Sequence, residues 1–60
     1  PKIGNNVTVG PNSVIIGPII IGDNVIIGAG SVVVTDVSSN SIVAGNPARF
    51  IKTFTIASGE

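Results

Sequence analysis

IIIGDNVIIGAGSVVV, residues 19 to 34, is apolar enough to be buried on every side. Yet it carries an Asp23-Asn24 pair and three glycines, Gly22, Gly28 and Gly30. Taken as part of a membrane span over residues 13 to 34, it would set Asp23 near the bilayer centre at a cost of roughly 3 kcal/mol, with Asn24 and Pro18 adding to the penalty. A helix of any kind is disfavoured by composition. Val and Ile supply a third of the sixty residues, Leu is absent, and Gly or Pro recurs every few positions.

The period resolves the mixture. Steps of six from Ile3 reach Val9, Ile15, Ile21, Ile27 and Val33, all aliphatic and β-branched. One position later stand Gly4, Gly10, Ile16, Gly22, Gly28 and Val34, and the next two positions are nearly all turn formers. A second column, Val7, Ser13, Ile19, Val25, Ser31 and Val37, is small or β-branched throughout. Residues 3 to 20 and 21 to 38 also repeat each other, so that three hexapeptides make one unit of eighteen. Three short strands joined by three corners describe a triangular coil. Stacked coils then pair each strand in parallel with its counterpart about 4.8 Å away. The every-sixth aliphatics are expected to point inward and the glycines to adopt the corner conformations.

The rest of the chain bounds the function. Net charge is zero and six side chains are charged, which leaves no basic footprint for nucleic acid and no polybasic patch for a membrane. Cys, His and Met are absent, so disulfides, thiolate or imidazole metal sites and any Cys- or His-based catalytic pair are excluded within these residues; no metal is expected. The lack of Cys fits a cytoplasmic protein. Because the repeat is already running at Ile3 and the first residue is Pro1, the chain reads as a fragment of a longer solenoid. Coils are expected over residues 1–42 and a closing strand, cap and tail over 43–60. The six-step register should fail after Val37, where Ser39 stands in place of an aliphatic, and resume at Val43. Ala48, Phe50, Ile51 and Phe54 would cover the end of the stack, as a solenoid requires, and residues 57–60 read as a frayed tail.

IGDNVIIGAGSVVVTDV at 21–37 and SIVAGNPARFIK at 41–52 resemble the last full coil and closing segment of the hexapeptide-repeat acyltransferases. PKIGNNVTVGPNSVIIGPIIIG at 1–22 is most similar to the serine O-acetyltransferase branch, and the sugar and polysaccharide O-acetyltransferases share almost as much. The resemblance implies an all-β, left-handed parallel β-helix. Its handedness comes from the family alone, since parallel crossovers in general are right-handed. It further implies a homotrimer or dimer of trimers, acetyl-CoA as co-substrate and a hydroxyl-bearing small molecule, L-serine before a sugar, as acceptor.

The family's catalytic base is a His, so no catalytic residue is expected within this chain. The donor site is expected at the Gly28-Ala29-Gly30 corner, where backbone groups hold the pantetheine arm of CoA, with Gly10-Pro11-Asn12 one coil away. Pro11 stands where the family often has Ala and has no N–H to offer. Arg49 and Lys52 match basic positions that approach the nucleotide phosphates, a task suited to a guanidinium. Asp23 and Asp36 read as caps for local backbone N–H groups rather than acids or bases. Asn6-Val7-Thr8 reads as a chance sequon, and the partial Gly28-Ala29-Gly30 dinucleotide fingerprint as spurious, because Val33 stands where a third glycine belongs.

Two other classes compete with the acetyltransferase. A purely structural solenoid would show a regular outward array of Thr, but Thr8 is followed one coil later by Ile26. A metal-dependent hydratase on the same scaffold would need His ligands from elsewhere.

Overall fold

The computed structural model describes residues 1–54. They form a left-handed parallel β-helix closed by an antiparallel hairpin. Six two-residue strands make the coils: β1 (Lys2–Ile3), β2 (Thr8–Val9), β3 (Val14–Ile15), β4 (Ile20–Ile21), β5 (Ile26–Ile27) and β6 (Val32–Val33). Strands β7 (Ser41–Gly45) and β8 (Ala48–Thr53) follow. β1 pairs with β4, β2 with β5 and β3 with β6, each in parallel and with Ile3 over Ile21, Val9 over Ile27 and Ile15 over Val33. Each pair is one face of a three-sided prism. β7 extends the second face in parallel and β8 adds an antiparallel fourth strand to it.

The expected inward column is the core. Ile21, Ile27 and Val33 are each 1% exposed, and Val25 from the second column is fully buried. Successive side chains in a strand point to opposite sides, so each strand sends one residue inward, and Ile19 and Val25 of the second column fill the space at the corners. Ile3 and Val9 occupy the same column but stay 49% and 45% exposed, because no coil of this chain lies above them.

The glycines act differently from the expectation. Left-handed backbone at the corners falls mainly to asparagine, at Asn6, Asn12, Asn24 and Asn40, each with φ between 55° and 60°. Asn tolerates this conformation better than other residues with a Cβ, because its short side chain can bond locally. Gly4, Gly10 and Gly22 instead permit close stacking. A Cβ on Gly10 would come within 2.5 Å of Ala29 N, and one on Gly22 within 2.5 Å of Ser39 N.

The register break also falls earlier than expected. Val37 bridges to Ile21, not to Ile19, so the last coil is shortened by two residues at the corner after Val33, and β7 keeps the new offset with Val43 under Ile27. The cause is visible at Asp36. Its Oδ1 accepts the Ile20 N–H at 2.8 Å, and Val37 N–H donates to Ile20 O at 2.9 Å. A side-chain oxygen thus satisfies a main-chain donor at the tightened corner.

The closing segment covers the core less than expected. Ala48 packs against it and Phe54 is half-buried, but Phe50 and Ile51 are 62% and 55% exposed. Phe50 pairs with Val43 in the hairpin, one strand beyond the prism, and lines a cleft of about 260 Å³ with Val33, Val37, Val43 and Ala48. Residues 57–60, read as a tail, lie outside the described residues.

Candidate functional site

Two corners of the prism solve the same hydrogen-bonding problem in different ways. At the corner between the first and second faces, the outward N–H of one coil is taken by a side chain of the next. Asn5 N donates to Asp23 Oδ1 at 2.7 Å, and Asp23 N donates to Ser39 Oγ at 2.9 Å. Asp23 and Asp36 therefore cap the backbone of the adjacent coil rather than their own local turn.

The corner between the second and third faces has no such ladder. Pro11 carries no N–H. Ala29 does, but Gly45, at the equivalent place in the following coil, has no side chain to receive it. Among the described residues the Ala29 N–H has no partner, and Ala29 is exposed. Gly30 N donates to Pro11 O at 2.8 Å, which fixes the two corners one above the other.

The hairpin brings the basic residues onto the adjoining face. In the four-stranded sheet, Gly10, Gly28, Ala44 and Arg49 lie in one cross-strand row, and Thr8, Ile26, Ile42 and Lys52 in the next. Val43 in β7 points inward, so its neighbours Ile42 and Ala44 face outward, and the register shift that leaves Ile51 unpaired in β8 keeps their partners Lys52 and Arg49 on that same side. Arg49 lies two strands from Gly28, roughly 10 Å along the row. Between them the wall is Ala44 alone, so a ligand could lie close to the backbone from the corner to the guanidinium.

All five residues expected at the donor site thus meet on one outer face and its edge: Pro11, Gly28 and Ala29 at the corner, Arg49 and Lys52 on β8. None lines the cleft beneath the last coil. Sequence reasoning did not single out Ala44, or Ser13 and Ser31 beneath the corner. Ser13 Oγ and Ser31 Oγ both donate to Gly28 O, at 2.8 and 2.6 Å. The available signal was two serines one coil apart in a column otherwise held at the first corner by Val7 and Val25.

Comparison with known proteins gives the chain a family. Residues 1–35 match the bacterial transferase hexapeptide (six repeats) family. Serine acetyltransferase 2 of Arabidopsis thaliana is 48% identical over 52 residues, which cover 87% of this chain and 16% of that protein. The crystal structure of Neisseria gonorrhoeae serine acetyltransferase superposes with a TM-score of 0.89 at 47% identity, covering 95% of this chain and 22% of that one. A galactoside acetyltransferase in complex with coenzyme A superposes with a TM-score of 0.85 at 48% identity, covering 87% and 26% of the two chains. The chain spans about a sixth of the length of the curated relatives it matches.

Proposed function

The chain belongs to the bacterial transferase hexapeptide family, and from that premise we propose that it is the donor-binding end of an acetyl-CoA-dependent O-acetyltransferase. The observation that carries the proposal is the unpartnered Ala29 N–H, standing at one end of a row of small residues that leads to Arg49. CoA fits both ends. Its pantetheine arm offers amide carbonyls to the N–H, and its nucleotide end offers phosphates to Arg49 and Lys52. Gly28 and Ala44 leave room for the arm between them. Pro11 closes the upper corner without offering a donor of its own.

When bound, acetyl-CoA supplies the activated acetyl group. This chain's residues hold the donor, and the His that the family resemblance implies as base for the acceptor hydroxyl is not among these sixty. The acceptor is L-serine in our reading, supported by the serine acetyltransferases among the relatives. A sugar hydroxyl is the second reading, favoured by the galactoside acetyltransferase at similar identity.

The assembly we propose is a homotrimer or dimer of such trimers. The third face supports self-association: Val14, Ile16 and Val34 are exposed on it beside half-buried Val32, and no polar side chain of the two strands interrupts them. Contiguous apolar surface of this kind marks an interaction site. That face meets the donor corner, so a neighbouring subunit packed on it would form the second wall of an otherwise open groove.

Thiol release from acetyl-CoA by the full-length protein tests the reading, with L-serine compared against a panel of sugars. Serine-dependent release is expected. Release with sugars alone would keep the donor site and overturn the acceptor; no release with any acceptor would favour a structural solenoid.

A further inference from the structure

We infer that Ser13 and Ser31 are positioning residues for the donor site, clamping the Gly28 carbonyl inward so that the Ala29 N–H is held outward toward the ligand. The inference rests on the reading above, in which that N–H meets the pantetheine arm. It starts from the peptide between Gly28 and Ala29. Apart from Asn46-Pro47 the described peptide bonds are trans, and in a planar trans peptide the C=O and the N–H point in opposite directions. Fixing one fixes the other.

The carbonyl is fixed twice. Ser31 Oγ donates to Gly28 O at 2.6 Å and Ser13 Oγ donates to the same oxygen at 2.8 Å. Ser31 is fully buried, so this carbonyl is turned into the prism. Each hydroxyl is held in turn: Ser13 Oγ receives the Ser31 N–H at 3.4 Å, and Ser31 Oγ receives the Gly45 N–H at 3.2 Å. The second bond ties the corner to the end of β7, beside Ala44, the hairpin partner of Arg49. One hydroxyl network therefore sets the peptide that presents the donor N–H, while Arg49 is placed by the hairpin pairing itself.

Packing alone does not explain the serines. At the first corner the same column holds Val7 and Val25, and Val25 is fully buried with no polar partner needed. Placing hydroxyls in such surroundings is costly unless they are bonded. Here both are bonded, and both to the one carbonyl whose peptide partner is the open N–H.

The test measures the affinity of the full-length protein for CoA and for adenosine 3′,5′-bisphosphate, which keeps the nucleotide phosphates and lacks the arm. Ser13→Ala, Ser31→Ala, the double variant, and Ser13→Val and Ser31→Val, which refill the column as at Val7 and Val25, are compared with the wild type, and the thermal midpoint of each is recorded. In the double alanine variant CoA binding is expected to weaken roughly five- to tenfold, the effect of losing about one aligned hydrogen bond, with bisphosphate binding unchanged. If the double variant does not fold, the single variants must show a smaller loss of the same kind. Equal losses for both ligands, or no loss for CoA, would overturn the inference. A wild type that binds CoA no more tightly than the bisphosphate would instead remove the arm from the corner, sinking the site reading and the inference with it.

Discussion

At the residue scale, the proposed donor face separates side chains read as acting by charge from those read as acting by being small. Arg49 is exposed on β8, so its removal should leave the fold intact. Arg49→Ala in the full-length protein is expected to weaken CoA binding while leaving the affinity for 3′-dephospho-CoA nearly unchanged. Equal losses for the two ligands in a binding titration would remove the phosphate role. Arg49 and Lys52 could be chosen from the sequence by their resemblance to a known closing segment. The open Ala29 N–H could not, because a missing hydrogen bond shows only once the groups around the corner are placed and Gly45 beneath it is seen to offer no side-chain acceptor. Ser13 and Ser31 were overlooked for a related reason: in a column of small and β-branched residues a serine reads as one more small side chain until its bonds are seen.

At the element scale, the unit is the corner rather than the strand. Strands here are two residues long before β7, and their pairing is kept by what each corner allows. A Cβ at Gly10 would strike the backbone of Ala29, and one at Gly22 the backbone of Ser39, whereas one at Gly28 would come no nearer than 3.0 Å to any atom, the nearest being the Ala44 Cβ. Gly10→Ala and Gly22→Ala are therefore expected to destabilise by about 1–3 kcal/mol each, since backbone overlapping that closely must be displaced, whereas a 3.0 Å contact is only tight. Gly28→Ala should cost less. Thermal unfolding of the three variants checks the order, and a Gly28→Ala loss equal to the other two would contradict the stacking account. The six-residue period predicted the strands, their parallel pairing and the inward column. It misassigned the break, because Val37 fits the second column by composition and the first by register; only the Asp36 bond to Ile20 decides between them.

At the scale of the whole molecule, the prism is open where more protein is needed. Ile3 and Val9 are half-exposed at one end, Phe50 and Ile51 stand out from the hairpin, and the third face is apolar. Unpaired sheet edges and uncovered core of this extent are not sustained by a chain this small. The isolated sixty-residue segment is thus expected not to be a stable folded monomer, and sedimentation with circular dichroism showing a folded monomer would refute that. The same openness is why the proposed donor face is a surface rather than a cavity, its second wall being proposed to come from a neighbouring subunit.

CoA is proposed to lie across the corner at Ala29 and along the row to Arg49. Backbone amide shifts of the full-length protein, followed by NMR as CoA is added, test that placement most directly. The account predicts the largest changes at Gly28, Ala29 and Gly30 and on β8 at Arg49 and Lys52, with Asn5, Asp23 and Ser39 at the capped corner unmoved. Changes centred on that capped corner, or on Thr35 and Phe50 around the cleft beneath the last coil, would contradict it.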